Sequence, residues 1–216
     1  MIHSLPAPGA PVIRLVVWRH GLTAWNTEGR FQGHYDTDLH LTGIRQAEAV
    51  APRIAALEPT AIVSSDLRRT AQTAAALGAV TGLDVKYDAR LRERSFGSWQ
   101  GMLATEVRER VPADYLRWRA GEPVPGVEPV EDLTRRVTSA FRDAAELVDA
   151  GTVVVVTHGG AARAGCAGLL GWPPAAARTL ASLENCHFTE LRHTDERGWQ
   201  LYSHNVGVDA QPEASR

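Results

Sequence analysis

The sequence predicts an α/β domain built on a mainly parallel sheet. Val12–Trp18 and Thr152–Val156 are almost continuously apolar and β-branched, as strands covered on both faces are. Amphipathic helical patterns alternate with such runs, the arrangement that parallel strands need. Both runs also end in the same way, a histidine followed by glycine: Arg19-His20-Gly21 and Thr157-His158-Gly159-Gly160.

The elements follow in order. After Val12–Trp18, Thr42 is placed to cap a helix to about Leu57, with Ile44, Ala47, Val50 and Ile54 on one side and a kink at Pro52. Ala61–Val63 is a shorter strand candidate. Asp66 is placed to cap a second helix through about Val80, and Asp84–Tyr87 is a weaker strand. Residues 97–129 hold glycine, proline and tryptophan among short helical fragments and read as an insertion. Leu133, Val137, Phe141 and Leu147 mark a helix over about Glu131–Asp149. A further helix follows Gly159. Cys186–Arg192 and Trp199–Tyr202 form a final antiparallel hairpin around Asp195–Gly198. Residues 1–11 read as a flexible lead-in and 207–216 as a frayed tail.

Composition narrows the function. The 216 residues are 44% hydrophobic and 22% charged, with net charge −2. A chain of that size buries enough surface to fold without disulfides or metals. The acidic balance argues against a generic nucleic-acid binder, and no apolar run approaches a membrane span. Two cysteines, Cys166 and Cys186, form neither a CxxC pair nor a disulfide framework. The N-terminus lacks a secretory h-region, so the expectation is a soluble, cytoplasmic protein.

In open parallel sheets, ligands bind at the carboxyl ends of strands where the connections change direction. If both strands share one sheet, His20 and His158 project into one crevice. The adjoining glycines allow close backbone approach to a ligand. The helix expected after Gly159 adds an N-terminus suited to an anion. A single strand-end histidine is ordinarily structural, and two in the same setting shift that balance toward chemistry.

Arg19-His20-Gly21-Leu22-Thr23-Ala24-Trp25-Asn26 resembles the R-H-G-x-T-x-x-N motif of the histidine phosphatase superfamily, also called phosphoglycerate mutase-like. The resemblance runs from about Val12 to Leu191. Gln32-Gly33-His34-Tyr35-Asp36, with Leu39, Leu41, Thr42 and Gly43, fills the usual next stretch. Ser65-Asp66-Leu67-Arg68-Arg69-Thr70-Ala71-Gln72-Thr73 is similar to S-x-L-x-R-x-x-x-T. Leu91-Arg92-Glu93-Arg94-Ser95-Phe96-Gly97 resembles the acid-bearing loop, and Thr157-His158-Gly159-Gly160 the second histidine. The chain also resembles actinobacterial phosphatases of the family, through Ile62–Arg69 and Leu91–Glu93. Those often carry G-E-S in the insertion, where this chain reads Gly126-Val127-Glu128-Pro129.

The resemblance implies a three-layer α/β/α architecture with the helical insertion over the site, a single domain over 12–206. It implies transfer of a phosphoryl group to His20 and then to water. A neutral imidazole attacks well near pH 7, provided its other nitrogen is held by an acceptor such as a backbone carbonyl. By position Glu93 is the acid for the leaving oxygen, active once bound phosphate offsets the nearby arginines, and His158 is the donor opposite His20. Arg19, Asn26, Arg69 and the Gly159 N–H cradle the phosphate, with forked arginine donors suited to its oxygens. Arg68 reads as a solvated helix-face residue. Thr23, Gln32 and Gly33 belong to the substrate pocket. Trp25, Phe31, Tyr35, Trp99, Trp118, Arg117 and Arg119 are candidates to line its outer part, the aromatic ones otherwise packing in a core or lid.

No cofactor and no metal are implied. The spacing His34-x-Asp36-x-Asp38-x-His40 offers ligand types but fits a polar loop, and HExxH, P-loop and CxxC motifs are absent from the sequence. The implied ligand is a small phosphorylated metabolite, a sugar phosphate or phosphoglycerate type, and a homodimer is one assembly the family allows. Mutases of the family continue the acid loop as E-R-H-Y-G, whereas this chain has Glu93-Arg94-Ser95-Phe96-Gly97, which favours hydrolysis over mutase-type phosphoryl transfer. A non-catalytic phospho-ligand binding module is the remaining alternative; the intact set of Arg19, His20, Arg69, Glu93 and His158 argues against it.

Overall fold

The computed structural model describes residues 11–207. The expected tails therefore lie almost wholly outside the described residues. The first apolar run forms β1 (Ile13–Arg19). It is followed by a short α1 (Ala24–Glu28), then α2 (Leu41–Ala55), β2 (Pro59–Ser64), α3 (Arg68–Thr81) and β3 (Val85–Tyr87). The insertion carries α4 (Ala104–Arg110) and α5 (Pro112–Ala120). Then come α6 (Val130–Ala145), β4 (Gly151–Thr157), α7 (Gly159–Leu169), α8 (Pro174–Ala177), β5 (Phe188–Thr194) and β6 (Gly198–Val206).

The six strands form one sheet in the order β3-β2-β4-β1-β5-β6. β3, β2, β4 and β1 pair in parallel; β5 runs antiparallel to both β1 and β6. Alternation along β1 divides the core. Leu15 and Val17 pack with Leu133, Val137 and Phe141 of α6 and Ala161 and Ala162 of α7. Val16 and Trp18 pack with Val50, Ala51 and Ile54 of α2 and Ala74 and Leu77 of α3. The sheet is thus covered on both faces, as the three-layer expectation requires. Burial of one such Leu or Phe side chain contributes about 1.5–3 kcal/mol.

Several helix ends differ from expectation. α2 is capped by the His40 ring, which accepts from the Thr42 N–H, so Thr42 is the second helical residue. Pro52 lies inside α2, three residues before its end, where only the last turn loses a donor. Ile44, expected on the buried side, is 38% exposed. Leu67 rather than Asp66 precedes α3, because Asp66 is drawn into a pair with the Arg92 guanidinium, Nε to Oδ1 at 2.7 Å. α6 stops at Ala145, leaving Leu147 exposed. Cys186 sits at φ 59°, in the left-handed region, so the strand expected from Cys186 begins at Phe188. Both cysteines are free and buried, and burial pushes each thiol up to about 12, which leaves them unreactive.

The insertion has a small core of its own: Phe31, Trp99, Val107, Val124 and Val127, with Phe96 and Trp118 against it. Phe31 stands 5.1 Å, ring to ring, from Trp118 and 5.5 Å from Trp99. These three aromatic residues, candidates for the outer pocket, pack with one another instead. Among the described residues, no helix is long and apolar enough to cross a membrane.

Candidate active site

β1 and β4 are neighbours in register, with Arg19 opposite Thr157. The chain leaving β1 travels to β2, beyond β4; the chain leaving β4 travels to β5, beyond β1. That change of direction opens a crevice at their carboxyl ends. His20 and His158 meet there, ring centroids 5.2 Å apart and edge to face.

His20 is 3% exposed. Its Nδ1 lies 2.7 Å from Gly21 O. A carbonyl only accepts, so Nδ1 carries the proton and Nε2 keeps its lone pair. Nε2 has no hydrogen-bond partner among the described residues. Burial, then the charges of Arg69 and Arg19, hold the ring's pKa well below 6.5, against the opposing pull of the Gly21 carbonyl. His20 is therefore neutral at pH 7, with the Nε2 lone pair free of a protein donor among the described residues. The expected backbone acceptor is Gly21 O.

Arg69, from the first turn of α3, is fully buried. Its Nη1 and Nη2 donate to Tyr35 O and Gly33 O at 2.8 Å each, and its Nε donates to His158 Nδ1 at 3.2 Å. Burial pulls its pKa down to about 10, which still leaves it charged at pH 7. His158 Nε2 faces Ser65 Oγ at 2.9 Å. Both of its ring nitrogens are thus engaged, and burial followed by the Arg69 charge keeps it neutral.

Arg19 donates through Nη1 to Leu183 O, while its buried Nε has no partner. Its guanidinium carbon lies 3.5 Å from where a Cβ on Gly159 would stand. Neither Arg19 nor Arg69 has an ion-pair partner among the described residues. Asn26 Oδ1 accepts from Thr23 N and Thr23 Oγ1 at 3.0 Å and from Asn185 Nδ2 at 3.2 Å. Those donors fix the amide so that its own NH2 remains to donate. Asn185 was not visible as a site residue in the sequence. Its Nδ2 also reaches His20 O at 3.1 Å and Gly21 O at 3.3 Å.

Glu93 closes the crevice. Its carboxylate accepts from Arg94 N at 2.8 Å, Gly160 N at 2.9 Å and Ala161 N at 3.0 Å. The N-terminus of α7, expected to hold a substrate anion, holds this side chain instead. Only the Gly159 N–H of that first turn is left open among the described residues. The histidine-flanking glycines serve protein neighbours more than a ligand. A Cβ on Gly160 would stand 2.5 Å from Glu93 Oε1, and one on Gly21 would stand 2.4 Å from Gly43 O.

The other nominated residues are placed as follows. Thr23 is fully buried and caps α1. Gln32 Oε1 accepts from the Thr37 hydroxyl at 3.2 Å. Gly33 offers its carbonyl to Arg69. Trp25 and Tyr35 stack on each other at 4.5 Å. Arg117 points to Asp114 and Glu122 at 3.8 Å. Arg68 is exposed and pairs with Asp38 at 2.9 Å. The residues of the His34–His40 spacing disperse: His34 Nε2 donates to Glu93 O at 2.8 Å, Asp36 accepts from Arg68 N at 2.7 Å and His40 caps α2.

Comparison with known proteins identifies the family. The model of the histidine phosphatase superfamily, branch 1, matches residues 15–207. A glucosyl-3-phosphoglycerate phosphatase of Mycolicibacterium vanbaalenii is 40% identical over 197 residues, covering 87% of this chain and 88% of its own. A probable phosphoglycerate mutase of Yersinia enterocolitica is 34% identical over 203 residues, covering 89% and 92%. The solved structure of a mycobacterial glucosyl-3-phosphoglycerate phosphatase complexed with VO3 superposes with TM-score 0.81 at 37% identity, over 90% of this chain and 99% of that one.

Proposed function

The chain belongs to branch 1 of the histidine phosphatase superfamily and is a phosphatase, and from that premise we propose that it hydrolyses a glucosyl-3-phosphoglycerate-type phosphomonoester, with His20 as nucleophile. The observation that carries the residue assignment is the pairing of a neutral His20, its Nε2 unpartnered, with two arginines, Arg69 fully buried and Arg19 part-buried with a buried Nε, that lack an ion-pair partner among the described residues. Unpaired buried cations are costly, and a phosphate dianion compensates both. The substrate class rests on the similarity to phosphatases of that name.

In the first step, His20 Nε2 attacks phosphorus and the P–O bond to the leaving group breaks. Glu93 gives its proton to the departing oxygen. Arg19, Arg69, the Asn26 amide and the Gly159 N–H stabilise the equatorial oxygens, with His158 on the far side. In the second step, the Glu93 carboxylate takes a proton from water as that water attacks phosphorus. The P–N bond breaks, phosphate leaves, and neutral His20 and protonated Glu93 are restored.

The test is phosphate release in EDTA from glucosyl-3-phosphoglycerate, 3-phosphoglycerate and glucose phosphates, with His20→Ala beside the unaltered protein. The expected result is hydrolysis that is fastest on the glucosylated substrate and lost in the variant. Equal rates on all esters would overturn the substrate assignment. Interconversion of phosphoglycerates without phosphate release would establish a mutase in its place.

A further inference from the structure

We propose that Glu128 and Arg136 form a positioning clamp for Glu93, an inference that rests on reading Glu93 as the acid toward the leaving group. Arg136, in the second turn of α6, uses every N–H of its guanidinium. Nε donates to Glu128 Oε1 at 2.6 Å and Nη2 to Glu128 Oε2 at 2.7 Å, a bidentate pair. Nη1 donates to Arg90 O at 2.7 Å and Arg92 O at 2.6 Å, and the second Nη2 proton goes to Glu93 O at 2.8 Å. Three carbonyls of the acid loop are thus held by one planar fork.

Glu128 secures the same loop from the insertion side. Its Oε2 also accepts from Ser95 N at 3.0 Å, and its backbone O accepts from Arg94 Nε at 2.6 Å. His34 Nε2 holds Glu93 O from the opposite side at 2.8 Å. The Glu93 peptide is therefore fixed from α6, from the insertion and from the loop after Gly33. Its carboxylate is delivered to the Gly160 and Ala161 amides at the crevice. A proton donor needs such restraint, because a displacement of about 1 Å costs on the order of 100-fold in rate. Neither clamp residue touches the crevice through its own charged group. The pair acts through Glu93.

The experiment compares kcat/KM for 2,4-dinitrophenyl phosphate, whose leaving group needs no proton, with that for 3-phosphoglycerate, whose alkoxide does. Arg136→Lys and Glu128→Gln are measured beside Glu93→Gln. The ratio of the two constants does not depend on the fraction of protein that is folded. Glu128→Gln keeps size and one acceptor should Arg136→Lys fold poorly. Each clamp variant is expected to lower the alkyl-to-aryl ratio about tenfold or more, in the direction of Glu93→Gln. An unchanged ratio in both clamp variants, with a large fall in Glu93→Gln, would overturn the clamp alone. An unchanged ratio in Glu93→Gln would remove Glu93 as the acid and the clamp's role with it.

Discussion

Arg69 Nε donates to His158 Nδ1 at 3.2 Å, which places the His158 ring proton on Nε2, facing Ser65 Oγ at 2.9 Å. Ser65 thus satisfies the only proton of a fully buried imidazole. Ser65→Ala leaves that donor unpaired and is expected to lower stability by about 1–3 kcal/mol. Part of the loss should return at saturating inorganic phosphate, as the Nε2–H finds a phosphoryl oxygen. Thermal melts with and without phosphate check this. An equal deficit in both conditions would mean that His158 does not turn to the anion.

His20 should remain neutral across the physiological range. Its folded pKa lies well below 6.5 because burial and two cations disfavour the imidazolium. The unfolded chain titrates near 6.5, so the stability held by the neutral ring is present above about pH 6.5. It is lost as pH falls toward the folded pKa, at about 1.4 kcal/mol per pH unit while only the unfolded chain binds the proton. NMR titration of the His20 ring should show no transition near 6.5. Arg69→Gln should move the midpoint upward, since it removes a positive neighbour. A ring that titrates near 6.5 in the unaltered protein would contradict the site's electrostatics.

Gly160→Ala separates activity from stability. The added methyl would stand 2.5 Å from Glu93 Oε1 and displace the carboxylate from its amide seat. Helix propensity favours alanine there by up to about 1 kcal/mol. Loss of the carboxylate's hydrogen bonds to the Gly160 and Ala161 amides opposes that gain by a similar amount, so the melting temperature is expected to change little. Its kcat/KM on alkyl phosphates falls about tenfold or more. Full activity would show that Glu93 works from another position.

Asn185→Ala tests the amide that joins the proposed nucleophile to the proposed phosphate cradle. It removes donors to His20 O, Gly21 O and Asn26 Oδ1 together. Single-turnover phosphorylation of the protein is expected to slow about tenfold or more, with weaker competition by inorganic phosphate. An unchanged rate would make Asn185 a packing residue only.

The sequence carried the sheet and both histidines clearly. Continuous β-branched runs such as Thr152–Val156 permit few alternatives, and the motif around His20 orders the rest. What it did not carry depends on contacts far apart in the chain. Asn185 lies in a loop with no periodicity, and its partners are about 160 positions away. The N-terminus of α7 looked like an anion site because local sequence cannot show that Glu93 fills it. Asp66 is a good capping residue by type, yet the ion pair with Arg92 outweighs the cap. Glu128 stands in a departure from the family pattern, and its role depends on the pairing with Arg136 that local sequence does not show.

The central claim is a phosphoryl group carried by His20 Nε2, and rapid-quench labelling of the protein with a phosphoryl-labelled substrate tests it most directly. The predicted result is an acid-labile, base-stable label on the His20 peptide, formed at least as fast as turnover and absent in His20→Ala. Turnover with no protein-bound phosphate, or a label on any other residue, would contradict it.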